Sequence, residues 1–210
     1  APDRSYFRAM SPATKTGGRQ YNDKPLPVIT VRTEKEAWSE PFVAILEPSA
    51  GEGNSTVTGV RKMEPLSGKD HTALQVDHND GSSQLIFQGN DAALETADKD
   101  IRFIGHFGVA DLKDGEVRKL YLGEGTLLEY NGIYLYAEEG PGSAEVQVDG
   151  ANQYSISSNS DVRLGFREPA PGKAVLVNGG AEKTLQPVIQ GEGVYYTIPA
   201  GMDMILRIVN

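Results

Sequence analysis

Three histidines, nine tyrosines, one tryptophan and no cysteine are what this 210-residue chain offers for chemistry. His71, Asp77 and His78 lie close together in "HTALQVDH" and are the obvious metal-ligand candidates. In a strand, however, Asp77 and His78 point to opposite faces, and their spacing fits no tetrahedral cage. Without cysteine, thiolate sites and disulfides are excluded. No metal and no cofactor is expected. In "IRFIGHFGVA" simple alternation places His106 opposite Phe103, Phe107 and Val109.

Tyrosine combined with arginine is the richer signal. The first 24 residues hold Arg4, Arg8, Lys15, Arg19 and Lys24 against Asp3 and Asp23, with Tyr6 and Tyr21 among them. Aromatic rings stack on sugar faces, and guanidinium groups pair with carboxylate or sulfate. If this arm folds back towards Trp38, then Arg8, Arg19, Tyr21 and Trp38 form a carbohydrate-contact set. The alternative is that Tyr6 and Phe7 pin the arm while the arginines are solvated. A tyrosine whose pKa is lowered by a cation could also serve in acid–base catalysis.

Other catalytic arrangements are poorly served. The carboxylate pairs Glu138-Glu139, Glu34 with Glu36, and Asp98 with Asp100 have no separation that sequence can define, as glycosidase chemistry would require. No G-x-S-x-G elbow is present. "LGEGT" and "QGEGV" lack the following helix that phosphate cradling needs. No catalytic residue is assigned.

The elements that must position these residues are strands. A net charge of −9 opposes nucleic-acid binding, although a local basic patch could still hold a polyanionic sugar. The apolar runs are strand-sized, "PFVAILEP" among them, and too short for a membrane-spanning helix. The chain begins at Ala1 without a secretory h-region, so it is expected to be a processed chain or, preferably, a piece of a longer one.

From Leu26 onward, alternating runs are separated by turn residues. Asn79-Asp80-Gly81, Asp114-Gly115 and Asn131-Gly132 each predict a hairpin. "NDAALETADK" at 90–99 is the one plausible helical turn and is expected to be a loop. The fold expected is all-β, an antiparallel β-sandwich of stacked sheets with a dozen or more short strands and little or no helix. Residues 1–25 read as an extended arm, 26–139 as the main sheet region and 140–210 as a smaller β region packed on it in one continuous domain. Gly140-Pro141-Gly142 is the best candidate boundary.

One family resemblance is carried by particular residues: Asp3-Arg4, Tyr6-Phe7, Arg32, Glu36-Ala37-Trp38, Pro41-Phe42 and Glu47-Pro48. Together with "FIGHFGVADLKDGEVRKLYLGEGTLL" and "VYYTIPAGMDMILRIV", these resemble the C-terminal β-region of the heparinase II/III-like polysaccharide lyases over most of the chain. The resemblance implies an exported bacterial enzyme, periplasmic or secreted, that cleaves uronic-acid-containing polysaccharide by β-elimination. It implies a partner within the same protein, an N-terminal α/α toroid carrying the catalytic histidine and tyrosine. These 210 residues contain no toroid. The expectation is therefore a non-catalytic β-domain that supports or lines the toroid's cleft, the alternative being a self-standing carbohydrate-binding module. Trp38 discriminates: packed behind Phe42 and Arg32 it anchors a hairpin, whereas exposed beside Tyr21 it would bind sugar.

Overall fold

The computed structural model describes residues 4–11, 26–33, 55–64, 66–67, 70–93, 95–167, 172–191 and 193–209, with the backbone alone for 4–11 and 26–33. The described residues form seventeen strands and no helix. The chain divides into two compact units, Ala1–Leu46 and Glu47–Asn210. In the first, β1 (Arg4–Ser11) pairs antiparallel with β2 (Leu26–Thr33), with Arg4 opposite Thr33. The stretch read as an extended arm thus contains a paired strand.

The second unit is all antiparallel β. In chain order its strands are β3 (Val57–Lys62), β4 (His71–His78), β5 (Ser82–Gly89), β6 (Glu95–Asp98), β7 (Ile101–Lys113), β8 (Glu116–Tyr130), β9 (Ile133–Ala137), β10 (Gly142–Gly150), β11 (Gln153–Ser158), β12 (Val162–Phe166), β13 (Lys173–Asn178), β14 (Ala181–Leu185), β15 (Val188–Gln190), β16 (Gly193–Ile198) and β17 (Gly201–Val209). Their hydrogen bonds form one fifteen-stranded ladder. A long layer runs β14-β13-β17-β11-β10-β8-β7-β5-β4-β3. A short layer runs β6-β7-β8-β9-β12-β16-β15.

The long strands β7 and β8 belong to both layers. Ile101–Ile104 pairs with β6, while Phe107–Lys113 pairs with β5. Lys119–Leu122 pairs with β10, while Leu127–Tyr130 pairs with β9. The switch falls where the β7–β8 register shifts at Ile104/Gly105, with Gly105 opposite Gly125. A Cβ on Gly105 would lie 2.7 Å from the Gly125 Cα, and one on Gly125 would lie 2.9 Å from the Ile104 carbonyl oxygen. Two strands bending this closely leave room only for glycine.

Aromatic pairs join the layers across the core. Phe87 of β5 stacks on Phe103 of β7 at 5.4 Å, and Tyr154 of β11 meets Phe166 of β12 at 5.3 Å. Leu128, Leu135, Leu164 and Ile198 of the short layer share one buried cluster with Leu120, Leu122, Val146 and Ile156 of the long layer. The sandwich and its all-β class are as the alternating pattern predicts. Alternation alone misplaces one face, however. Phe103 is fully buried and Phe107 is 41% exposed; between them lie the register shift at Ile104/Gly105 and the passage of β7 from one layer to the other. A second difference lies in 90–99, where Glu95–Asp98 is a strand, paired with β7 and tied by the Thr96 hydroxyl to the Leu66 carbonyl at 3.1 Å.

All three predicted hairpins form. Asp114 and Gly115, like Asn131 and Gly132, both have left-handed φ angles, the conformation that two-residue turns between twisted strands require. Gly140-Pro141-Gly142 leads from β9 into β10, inside the second unit. At the β4–β5 turn, the Asp80 carboxylate accepts from the Ser82 hydroxyl at 2.6 Å and the Ser82 amide at 2.9 Å. These bonds, with smaller help from Lys113 and His78, hold its pKa at about 2. The folded value lies below the ordinary one of about 4. The stabilisation is therefore present above about pH 4 and is lost as pH falls through about 2. Asp80→Asn is expected to lower the urea midpoint near neutral pH, and the two proteins should converge at about pH 2.

Candidate functional site

The short layer turns one face to the core and the other outward. In β9, Leu135 and Ala137 are buried, so Tyr134 and Tyr136 project outward; in β12, Val162 and Leu164 are buried and Arg163 projects outward. Register then aligns these outward residues in two cross-strand rows. One row is Arg102, Glu129, Tyr134, Gly165 and Tyr195. The other is Ile104, Leu127, Tyr136, Arg163 and Thr197. Arg102, Glu129 and Tyr134 of the first row and Ile104, Leu127, Tyr136 and Arg163 of the second, with Arg167, Gln190 and Gly193, line a cleft of about 550 Å³, within the usual size range of ligand sites.

Glu129 anchors one side of this cleft and is only 4% exposed. Arg167 closes a two-point contact on it, through Nε and through Nη2 at 2.9 Å, and Arg102 Nη1 lies 3.9 Å away. Arg102 also donates from Nε and Nη2 to Glu95, at 3.0 and 2.9 Å. Arg167 follows β12 directly, and its amide donates to the Gly132 carbonyl at 2.8 Å, so the Asn131-Gly132 turn positions it. The bond to Glu129 strengthens its guanidinium charge and raises its pKa.

Arg163 anchors the other side. Its guanidinium sits 4.5 Å from the Tyr195 ring centre and 5.3 Å from that of Tyr136, within cation–π range. Glu138 receives both its Nε and its Nη2, the latter at 2.7 Å, which raises its pKa. Between the two anchors the Tyr134 ring lies over Gly165, where a Cβ would stand 1.8 Å from the ring's Cζ. Glycine is required there because the ring occupies the side-chain space. Burial pushes the Tyr134 phenol pKa up and outweighs the lowering by Arg163. The phenol therefore stays protonated at neutral pH, as a hydrogen-bond donor.

The arrangement can stack a sugar ring and offer guanidinium donors to an anionic group. Among the described residues, no group of three or more His, Cys, Asp or Glu is placed to hold a metal ion. His78 Nδ1 lies 3.4 Å from the Thr56 hydroxyl and His106 Nδ1 lies 3.2 Å from the Gly89 carbonyl, so both are engaged locally. A second depression, lined by His78, Gln84, Asp111, Arg118 and Lys119 among others, has no phenylalanine, tyrosine or tryptophan in its lining.

Of the residues expected to touch carbohydrate, Arg8 lies on β1 opposite Ile29. Its side chain, and Arg19, Tyr21 and Trp38 entirely, lie outside the described residues. Among the described residues, the tyrosine–arginine combination that the structure brings together comes from β7, β9, β12 with the following Arg167, and β16. "IYLYA" and "VRLGF" carry its signal, polar or aromatic residues alternating with apolar ones.

Residues 58–148 match the family model of the endo-acting ulvan lyase C-terminal domain. The likeness is to the C-terminal region of a polysaccharide lyase. A curated relative, the endo-acting ulvan lyase of Formosa agariphila, is 32% identical over 144 residues, covering 65% of this chain. The match spans 17% of that relative's own length. Both comparisons support a polysaccharide lyase C-terminal region, and neither singles out the heparinase II/III-like group. The matched stretch includes Arg102, Glu129, Tyr134 and Tyr136 and ends before Arg163 and Arg167.

Proposed function

We propose that this chain is a non-catalytic β-sandwich domain from the C-terminal part of a polysaccharide lyase whose substrate contains uronic acid. The observation that carries this reading is the match of residues 58–148 to a lyase C-terminal domain, in a chain that spans a small fraction of its relative. The heparinase II/III-like resemblance supplies the finer parts: an α/α toroid in the same protein, whose cleft this domain supports or lines, and export to the periplasm or beyond. β-Elimination needs a base to remove the proton beside the uronate carboxylate. Tyr134, with its pKa raised, is unsuited to that step.

The expected result is that this chain releases no unsaturated uronate from ulvan, heparin, chondroitin, alginate or pectin, followed by ultraviolet absorbance. Product formed by the chain alone would overturn the non-catalytic assignment. The second reading, a self-standing carbohydrate-binding module, is favoured by the tyrosine–arginine cleft.

A further inference from the structure

We propose that the outward face of the short layer binds a uronate-bearing glycan segment, with Arg167 receiving the carboxylate and Tyr134 supplying the stacking surface. The polymer class rests on the lyase reading; the site rests on its own geometry. A guanidinium has two hydrogen-bonding edges and five donors. Glu129 occupies the Nε/Nη2 edge of Arg167 and leaves the Nη1/Nη2 edge available to a second carboxylate. The Arg167 side chain is 57% exposed while the carboxylate that orients it is buried. It is therefore held at one end and presented at the other, which reduces the ordering cost of binding.

Arg163 has a different part. Clamped by Glu138 and sandwiched by Tyr136 and Tyr195, it is a positioning residue that sets the two rings. Tyr134 has one ring face against Gly165 and lines the cleft. A pyranose stacked on this ring would lie beside Glu129, the cross-strand neighbour of Tyr134, and so beside the arginines that contact Glu129. Arg102, Arg163 and Arg167 are matched by Glu95, Glu129 and Glu138, so the cleft lacks a strong net field. Recognition then depends on the geometry of the donors, which favours a planar carboxylate over a diffuse polyanion.

The test is calorimetric titration of the chain with polygalacturonate, which carries carboxylates only, beside dextran sulfate and neutral dextran. Saturable binding of polygalacturonate alone is expected. Arg167→Lys keeps a charge against Glu129 but loses the planar edge, and is expected to weaken binding about tenfold, the scale of a hydrogen bond to a charged group. Tyr134→Ala is expected to weaken it similarly, and Arg118→Ala, on the long layer, to leave it unchanged. Thermal melts of all variants identify any that fail to fold. Absence of polygalacturonate binding, a preference for dextran sulfate, or wild-type binding by both folded Arg167→Lys and Tyr134→Ala would overturn the proposal. Release of unsaturated product would instead overturn the non-catalytic reading and leave this site standing.

Discussion

Phe103→Ala is expected to lower folding stability by about 3–5 kcal/mol, the usual cost of truncating a buried phenylalanine. Phe103 is fully buried, stacks on Phe87, and fills the space above Gly105 and Gly108; a Cβ on Gly108 would stand 2.7 Å from its ring. It sits where β7 passes from one layer to the other, so its loss leaves a cavity at the fold's main bend. Against a typical stability of about 5–15 kcal/mol, this is a large fraction. Phe107→Ala is the internal control. Four residues on, but exposed, it is expected to cost less than about 1 kcal/mol. Urea denaturation compares the two, and equal costs would mean that the two rings do not differ in burial.

The second large effect concerns the buried carboxylate. Arg167→Ala should destabilise by about 2–3 kcal/mol, because it leaves Glu129 desolvated with only the more distant Arg102 opposite it. The reverse change, Glu129→Ala, should cost about 1 kcal/mol, since both arginines reach solvent and rehydrate when released. The double variant should cost less than the sum, as residues sharing one contact couple. Denaturation midpoints of the three variants supply the cycle. A larger penalty for Glu129→Ala, or strict additivity, would show that the stranded, desolvated carboxylate is not what makes the loss of Arg167 costly.

Much of the architecture is legible in local sequence. Alternation marks β4, β7, β9 and β17, and Asn-Gly and Asp-Gly place two hairpins with left-handed turn residues. These signals are local because side-chain direction and turn conformation are set within a few residues. What escapes is anything that depends on a bulge or on pairing between distant segments. Gly105 looks like any other glycine in a strand until its approach to Gly125 is seen, with Phe103 and Phe107 meeting opposite fates on either side of it. Residues 95–98 form a strand only because β7 offers an edge to pair with.

The cleft shows the same division. The expectation that tyrosine and arginine would be the groups to meet an acidic sugar comes from residue types alone, with cysteine absent and histidine scarce. Which tyrosines and arginines meet is a matter of register. Tyr136 and Arg163 are opposed across β9–β12, and Glu129 and Arg167 come together because the end of β12 is bonded to the Asn131-Gly132 turn. By itself the sequence determined an all-β chain of alternating strands and defined hairpins, with neither thiols nor a legible catalytic set. Tertiary structure alone decided which outward residues share a face, because strands distant in the chain acquire neighbours only when their backbones hydrogen-bond in one particular register.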